Sequence, residues 1–127
     1  MILIFDTYSG LCNQFLDIQS SINFSSINNF KFTFRYCSFR KNNIKFFKYQ
    51  DFSKLFNLNS FKNLPNYIDY HTIKDDINKN NTFNFEQKRS IELFNNETDL
   101  INFIKLENFE YYVLPQFFSI AQFYKYK

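Results

Sequence analysis

The order of elements in residues 2–37 restricts the fold of this chain more than any other feature. Ile2 to Tyr8 is a short β-rich run ending in Asp6-Thr7-Tyr8, and a loop containing Gly10 follows it. Apolar residues then recur at three- and four-residue steps, at Phe15, Ile18 and Ile22 with Leu16 and Phe24 beside them. That is the period of a helix, predicted from about Gln14 to Asn28. Asn28-Asn29 marks its end, and Lys31 to Cys37 alternates large and polar residues as a strand does. Strand, loop, helix and strand within about 35 residues make a βαβ unit, whose strands run parallel and whose crossover is right-handed.

The rest of the chain is read on that frame. Asp51 to Phe56 reads as a short helix, and Asn63-Leu64-Pro65 breaks the chain before a possible strand at Asn66 to Tyr70. Lys74 to Asn84 is polar and Asn-rich, which predicts a loop. Glu86 to Asn108 carries amphipathic helical spacing interrupted at Asn95-Asn96, with Glu97-Thr98-Asp99 starting a second helix where acids suit the dipole. Glu110 to Leu114 is the clearest late strand, and Pro115 admits a final helix through about Phe123. The chain is therefore expected to be one α/β domain over residues 1–127, a three-layer Rossmann-like parallel sheet. Ile2 to Tyr8, Lys31 to Cys37 and Glu110 to Leu114 are its neighbouring parallel strands.

Composition enters where it changes the weight of these signals. With 20 Phe, 9 Tyr, one Gly and no Trp, and many Asn, Lys and Ile, the chain carries the mark of A/T-rich codons. An Asn here is weaker evidence for a turn than usual. The lone Gly10 is stronger evidence for a backbone conformation or a close approach that a Cβ would obstruct. Fifteen basic and 12 acidic residues give a net charge of +3, with the basic residues scattered along the chain. A surface that tracks phosphates needs them clustered, so no nucleic-acid partner is expected. Arg35 to Lys48 is the one basic stretch, read as a solvated rim with an anion or RNA site as the alternative.

Met1 to Phe5 is too short an apolar run for a signal peptide, and no segment approaches about 18 apolar residues, so no membrane partner is expected. Cys12 and Cys37 are read as free thiols, and the cytoplasm as the compartment. One histidine and two separated cysteines make no zinc set, Asp75-Asp76 reads as solvated charge, and no cofactor is implied. His71 is read as a structural or exposed histidine rather than a general base, and Cys12 as no nucleophile.

The run Asp6-Thr7-Tyr8-Ser9-Gly10-Leu11-Cys12-Asn13-Gln14-Phe15, after a first strand and before a helix, resembles the Gly-Leu-x-Asn-Gln signature of GDP-fucose-dependent fucosyltransferases. It is most similar to the protein O-fucosyltransferase-like group. Asp51 to Phe61 resembles a second feature of that group, a Phe-x-x-Ile-Phe-Asp-x-x-x-Phe stretch after the second strand. The resemblance covers about residues 2–64. It implies the N-terminal half of a GT-B glycosyltransferase, with Gly10, Leu11, Asn13 and Gln14 lining the donor cleft. A loop between a strand's carboxyl end and a helix N-terminus suits a diphosphate independently of that likeness, and Asn13 offers both a donor and an acceptor.

The family's His-x-Arg motif, whose arginine meets the departing phosphate, has no counterpart, since His71 is followed by Thr72-Ile73. Arg40, with Arg35, is the local substitute expected beside the loop. The resemblance thus implies a half-domain that binds GDP-fucose weakly and does not transfer fucose alone. The alternative is a relic or assembly module without sugar-nucleotide activity, and either way self-association or a second chain is an expected partner.

Overall fold

A computed structural model describes residues 1–7, 11–40, 47–85 and 97–115, with the side chains of residues 39, 40, 47 and 48 left undescribed. The elements in chain order are β1 (Ile2–Asp6), α1 (Leu11–Ile27), β2 (Lys31–Phe34), β3 (Tyr36–Arg40), β4 (Phe47–Asp51), β5 (Thr82–Asn84), α2 (Glu97–Leu106) and β6 (Tyr111–Pro115). Four strands form a parallel sheet in the order β2-β1-β6-β5, and β3 pairs with β4 in an antiparallel hairpin. The predicted βαβ start is observed: Ile2 stands opposite Lys31 on one side and Tyr111 on the other, and all three strands run parallel.

Chain direction decides which face each connection covers. β1 to β2 and β5 to β6 step the same way along the sheet, so right-handed crossovers lay both helices on one face, here called the front. Ile18 and Phe24 of α1 and Leu100 and Ile104 of α2 accordingly share a core with Leu3, Phe5, Phe32, Phe34, Tyr112 and Leu114. The stretch from β2 to β5 travels the other way, from edge to edge, and crosses the back. There Ile73 and Ile77 pack against Ile4, Tyr111 and Val113. Helices were expected on both faces; among the described residues the back is covered by this crossover and its single 3-10 turns at Tyr70–Thr72 and Lys74–Asp76.

Asparagine supplies the left-handed residues that a chain with one glycine otherwise lacks. α1 ends with Asn29 at φ 56°, with Phe30 N–H donating to Ser25 O (2.8 Å) and Asn29 N–H to Ser26 O (3.3 Å), a Schellman cap. Asn66 and Asn108 also have positive φ, at 66° and 55°. Asn is the ordinary residue besides Gly that enters this region readily, so these asparagines are structural signals and not codon noise.

Several expected elements are corrected. The second strand ends at Phe34: Arg35 N–H still bonds Phe5 O, but Arg35 O accepts from Phe52 N–H (3.0 Å), and the chain leaves for the hairpin. Asn66 to Tyr70 is not a strand; only Tyr67 bridges Phe32, because Asn66 turns left-handed. The expected loop at Lys74 to Asn84 contains β5, whose Thr82–Asn84 pair with Tyr111 to Val113. β1 stops at Asp6 and α1 begins at Leu11, three residues before Gln14. The short helix at Asp51 is a 3-10 turn, Phe52–Lys54, capped by the Asp51 carboxylate on Ser53 N–H (2.9 Å). α2 starts at Glu97 as predicted. Gly10, the helix from Glu86 and the helix after Pro115 lie outside the described residues.

α1 packs differently from its predicted apolar face. Its buried positions are Gln14, Asp17, Ile18, Ser20, Ser21, Phe24 and Ser25, while Phe15 and Leu16 are exposed. Two of the three buried serine hydroxyls turn onto the helix backbone, Ser20 to Leu16 O and Ser21 to Asp17 O (both 2.7 Å), and these small residues let α1 approach the sheet closely.

Candidate functional site at the carboxyl edge of the sheet

Ligands of open parallel sheets gather at the carboxyl ends of the strands, where helix N-termini and loops converge. β1 ends there on Asp6 and Thr7 follows it, both fully buried. On α1, Gln14 is also buried and clamps this end together. Its Oε1 accepts from Thr7 Oγ1 (3.0 Å) and Ser38 N–H (3.1 Å), and its Nε2 donates to Ser38 O (2.8 Å). The amide thus ties β1, α1 and β3 into one unit, which holds the residue-11 end of α1 in place. Leu11 and Asn13, in the first turn, are exposed, and that turn carries no acidic residue. Of the sequence-predicted set, Leu11, Asn13 and Gln14 therefore share one helix end, with Gln14 turned into the fold rather than outward. Arg40 is the last residue of β3, opposite Phe47 in the hairpin, and not a residue just past a parallel strand.

Arg35 is the cation that the structure builds into this edge. Its Nε donates to Asp6 Oδ1 (2.9 Å), its Nη2 pairs with Asp6 Oδ2, and Tyr36 N–H adds a bond to Asp6 Oδ1 (3.3 Å). The guanidinium also lies 4.5 Å from the Tyr36 ring centre. Two bonds to a fixed carboxylate and one ring contact hold a planar guanidinium in a single orientation. Tyr70 meets Tyr36 edge-on, 6.4 Å between ring centres. Burial raises the Tyr70 hydroxyl pKa, as does neighbouring Tyr36, against the Arg35 charge, so Tyr70 is a neutral donor and acceptor.

His71 lies between two carboxylates, with Nε2 2.8 Å from Asp51 Oδ2 and Nδ1 3.0 Å from Asp69 Oδ1. Both ring nitrogens can donate only in the imidazolium form. The hydrogen bond to Asp51 and then that to Asp69 raise its pKa above the ordinary histidine value, against a smaller effect of burial. Asp51 is held below the ordinary carboxylate value: burial pushes it up, and hydrogen bonds from Ser53 and His71 outweigh that. This ties the end of β4 to the Tyr70–Thr72 turn. Sequence alone showed no partner for His71, because Asp51 stands 20 residues away; only Asp69, an N-cap two residues before it, was a local cue.

A cleft of about 530 Å³ opens on the back of the sheet, lined by Arg35, Ile77, Asn78, Lys79, Thr82, Asn84 and Val113. Two of its walls were invisible in the sequence, since β5 sits in the stretch expected to be a loop. Asp76, expected as solvated charge, is exposed and also accepts from the Tyr111 hydroxyl (2.6 Å). Burial and then this bond push the Tyr111 pKa up to about 12. Cys12 is exposed and Cys37 buried, both as free thiols. Burial pushes Cys37 up to about 11, so it is protonated and inert as a nucleophile.

Among the described residues no helix is long and apolar enough to cross a membrane, and no group of three His, Cys, Asp or Glu is placed to hold a metal. Compared with known proteins, the chain matches no family model, no curated protein and no solved structure.

Proposed function

We propose that the chain is a fucosyltransferase-like half-domain, related to the N-terminal half of a GT-B enzyme, that binds GDP-fucose at the carboxyl edge of its sheet without transferring the sugar. The observation that carries this reading is the setting of the Ser9 to Gln14 run. It joins the carboxyl end of an interior parallel strand to a 17-residue helix whose first turn has no acid to repel a diphosphate. Asn13 would contact the ligand, Gln14 would position the helix end, and Arg40 would approach from the hairpin. Transfer would need a preorganised cation on the departing phosphate. Arg35 is fixed, but its charge is already offset by Asp6.

Isothermal titration with GDP-fucose tests this, with GDP and free fucose as separate arms. Binding between about 10 µM and 1 mM is expected, weakened about fivefold by Asn13→Ala or Arg40→Ala and untouched by His71→Ala. No saturable heat from GDP-fucose or GDP would sink the reading, and measurable fucose transfer would overturn its non-catalytic part.

A binding or assembly module is the second reading, favoured by Leu11, Phe15 and Leu16. These are 50%, 55% and 38% exposed at one end of α1, an apolar group that water does not favour. Phe15 has only the edge of Phe56 against it among the described ring contacts, 5.6 Å between centres. Sedimentation should show self-association that Phe15→Ser reduces. A clean monomer at tens of micromolar, with no binding of a dye for apolar surface, would count against it.

A further inference from the structure

We propose that the back-face cleft is a binding site for a small phosphorylated polyol of about hexose phosphate size, separate from the helix end at Leu11 and independent of the nucleotide-sugar reading. Strand register explains why polar groups collect there. Side chains alternate across a strand, so Arg35, Asp6 and Pro115 fall on the back, above a row of Thr33, Ile4, Val113 and Asn84 and a row containing Tyr111 and Thr82. The two lower rows start apolar in the middle and become polar towards β5. The cleft follows that gradient, with Val113 and Ile77 as its apolar part and Thr82, Asn84, Asn78, Arg35 and Lys79 around them. Its volume lies within the range of about 300–1,000 Å³ usual for small-molecule sites, which also pair an apolar surface with a few convergent polar groups.

The outer wall is built before any ligand arrives. Asn78 N–H donates to Asn81 Oδ1 (2.9 Å), and Asn80 and Asn81 N–H both donate to Asn78 Oδ1 (2.8 and 3.1 Å). Asn81 Nδ2 reaches Asp76 O (2.7 Å), and Asn81 O accepts from both Glu110 and Tyr111 N–H (3.0 and 3.1 Å). The turn that carries Lys79 is therefore tied internally and to β6. A fixed wall spares a ligand the entropy of ordering it.

Charge then selects the ligand. The Arg35 charge is balanced by Asp6, and Asp76 is turned to Tyr111. Lys79 forms no ion pair with a described residue, so the cleft lining holds two cations, Arg35 paired with Asp6 and Lys79 on the turn, and no acidic residue among those described. A phosphate beside Lys79 and Arg35, with hydroxyls towards Thr82 and Asn84, satisfies both kinds of lining. A neutral sugar leaves the cation unused, and inorganic phosphate leaves the Thr82 and Asn84 wall unused.

The test is amide NMR of the labelled full chain titrated with a hexose phosphate, the same hexose without phosphate, and inorganic phosphate. Hexose phosphate should move Asn78, Lys79, Thr82, Asn84 and Val113, binding about tenfold more tightly than either fragment. Lys79→Glu, an exposed substitution, should weaken it about tenfold, and Asn84→Leu should weaken it while leaving the remaining spectrum folded. Lys105→Glu on α2 should change nothing. The proposal fails if no shift appears at those amides by about 20 mM, if the shifts scatter over surface lysines, or if Lys79→Glu binds as well as the original chain. GDP-fucose titrated separately keeps the two sites apart: shifts near Leu11 and Asn13 without shifts at Thr82 and Asn84 belong to the other reading.

Discussion

The two faces of the parallel sheet are built from the same strands and have opposite characters. On the front, Leu3, Phe5, Phe32, Phe34, Tyr112 and Leu114 are buried under α1, α2 and a pile of rings in which Phe52 stacks on both Phe34 and Phe56, 4.7 and 4.6 Å between centres. On the back, among the described residues, Ile4 and Val113 have Ile73, Ile77 and the tyrosine and isoleucine at the strand starts for apolar company. The same face carries Asp6, Arg35, Thr33, Thr82 and Asn84. A dry, interlocked face supplies stability, because every ring there loses water and gains close neighbours. A face that mixes apolar and polar groups supplies less, and its described residues line a cleft.

The comparison is broken most strongly at its dry side. Phe34 touches Phe5, Phe32, Phe52 and Phe61, all with ring centres within 6.0 Å. Phe34→Ala should cost about 3–5 kcal/mol in chemical denaturation, and a loss below about 1 kcal/mol would show that the front is loosely packed. Asp6→Asn tests the polar side. It leaves Arg35, whose side chain is 13% exposed, without its carboxylate, and should cost about 3 kcal/mol. It should also loosen Tyr36, seen as altered tyrosine ring signals; an unchanged midpoint would mean that water replaces the pair without penalty.

Thr33 sharpens the contrast in the other direction. It is fully buried on the back, and its hydroxyl has no hydrogen-bond partner among the described residues. Thr33→Val, of nearly the same shape, should stabilise by about 1 kcal/mol. Destabilisation would mean that the hydroxyl is satisfied, and hence that water reaches this face.

The smallest effect belongs to the His71 clamp, which ties the back-face crossover to the hairpin. His71 is raised, so its contribution is complete below the ordinary histidine value of 6.5 and is lost as pH rises through the raised value. Asp51 is lowered, so its contribution is present above the ordinary 3.8 and is lost as pH falls through the lowered value. The clamp is at full strength between these ordinary values. The histidine side chain is 40% exposed, so solvent screening keeps its worth below about 1 kcal/mol. Denaturation midpoints at about pH 5.5 and pH 8 should differ more in the original chain than in His71→Gln, and NMR titration of the ring should show the raised pKa. Equal differences would remove the clamp as a pH-sensitive contact.

What was legible from residues alone was local or periodic. The parallel pairing of β1 with β2, the helix between them, its stop at Asn28-Asn29, the start of α2 at Glu97 and the late strand at Tyr111 all follow from repeat length, caps and chain direction within short windows. The asparagines were undervalued: at positions 29, 66 and 108 each holds a left-handed turn that backbone sterics deny to most other residues.

Tertiary structure decided the rest, because its causes lie far apart in the chain. Thr82–Asn84 has no strand pattern of its own and exists as β5 because Tyr111 to Val113 offers an unpaired edge. Arg35 left β2 because Phe52, 17 positions later, binds its carbonyl, and it became the fixed wall of a cleft because Asp6, 29 positions earlier, holds its side chain. Gln14 lies in the run expected to line a ligand cleft, yet the approach of Thr7 and Ser38 turned its amide inward. A sequence window carries propensity and period, whereas burial of a polar group is settled only when its partner arrives from another element, and that arrival is what made the two faces of one sheet different.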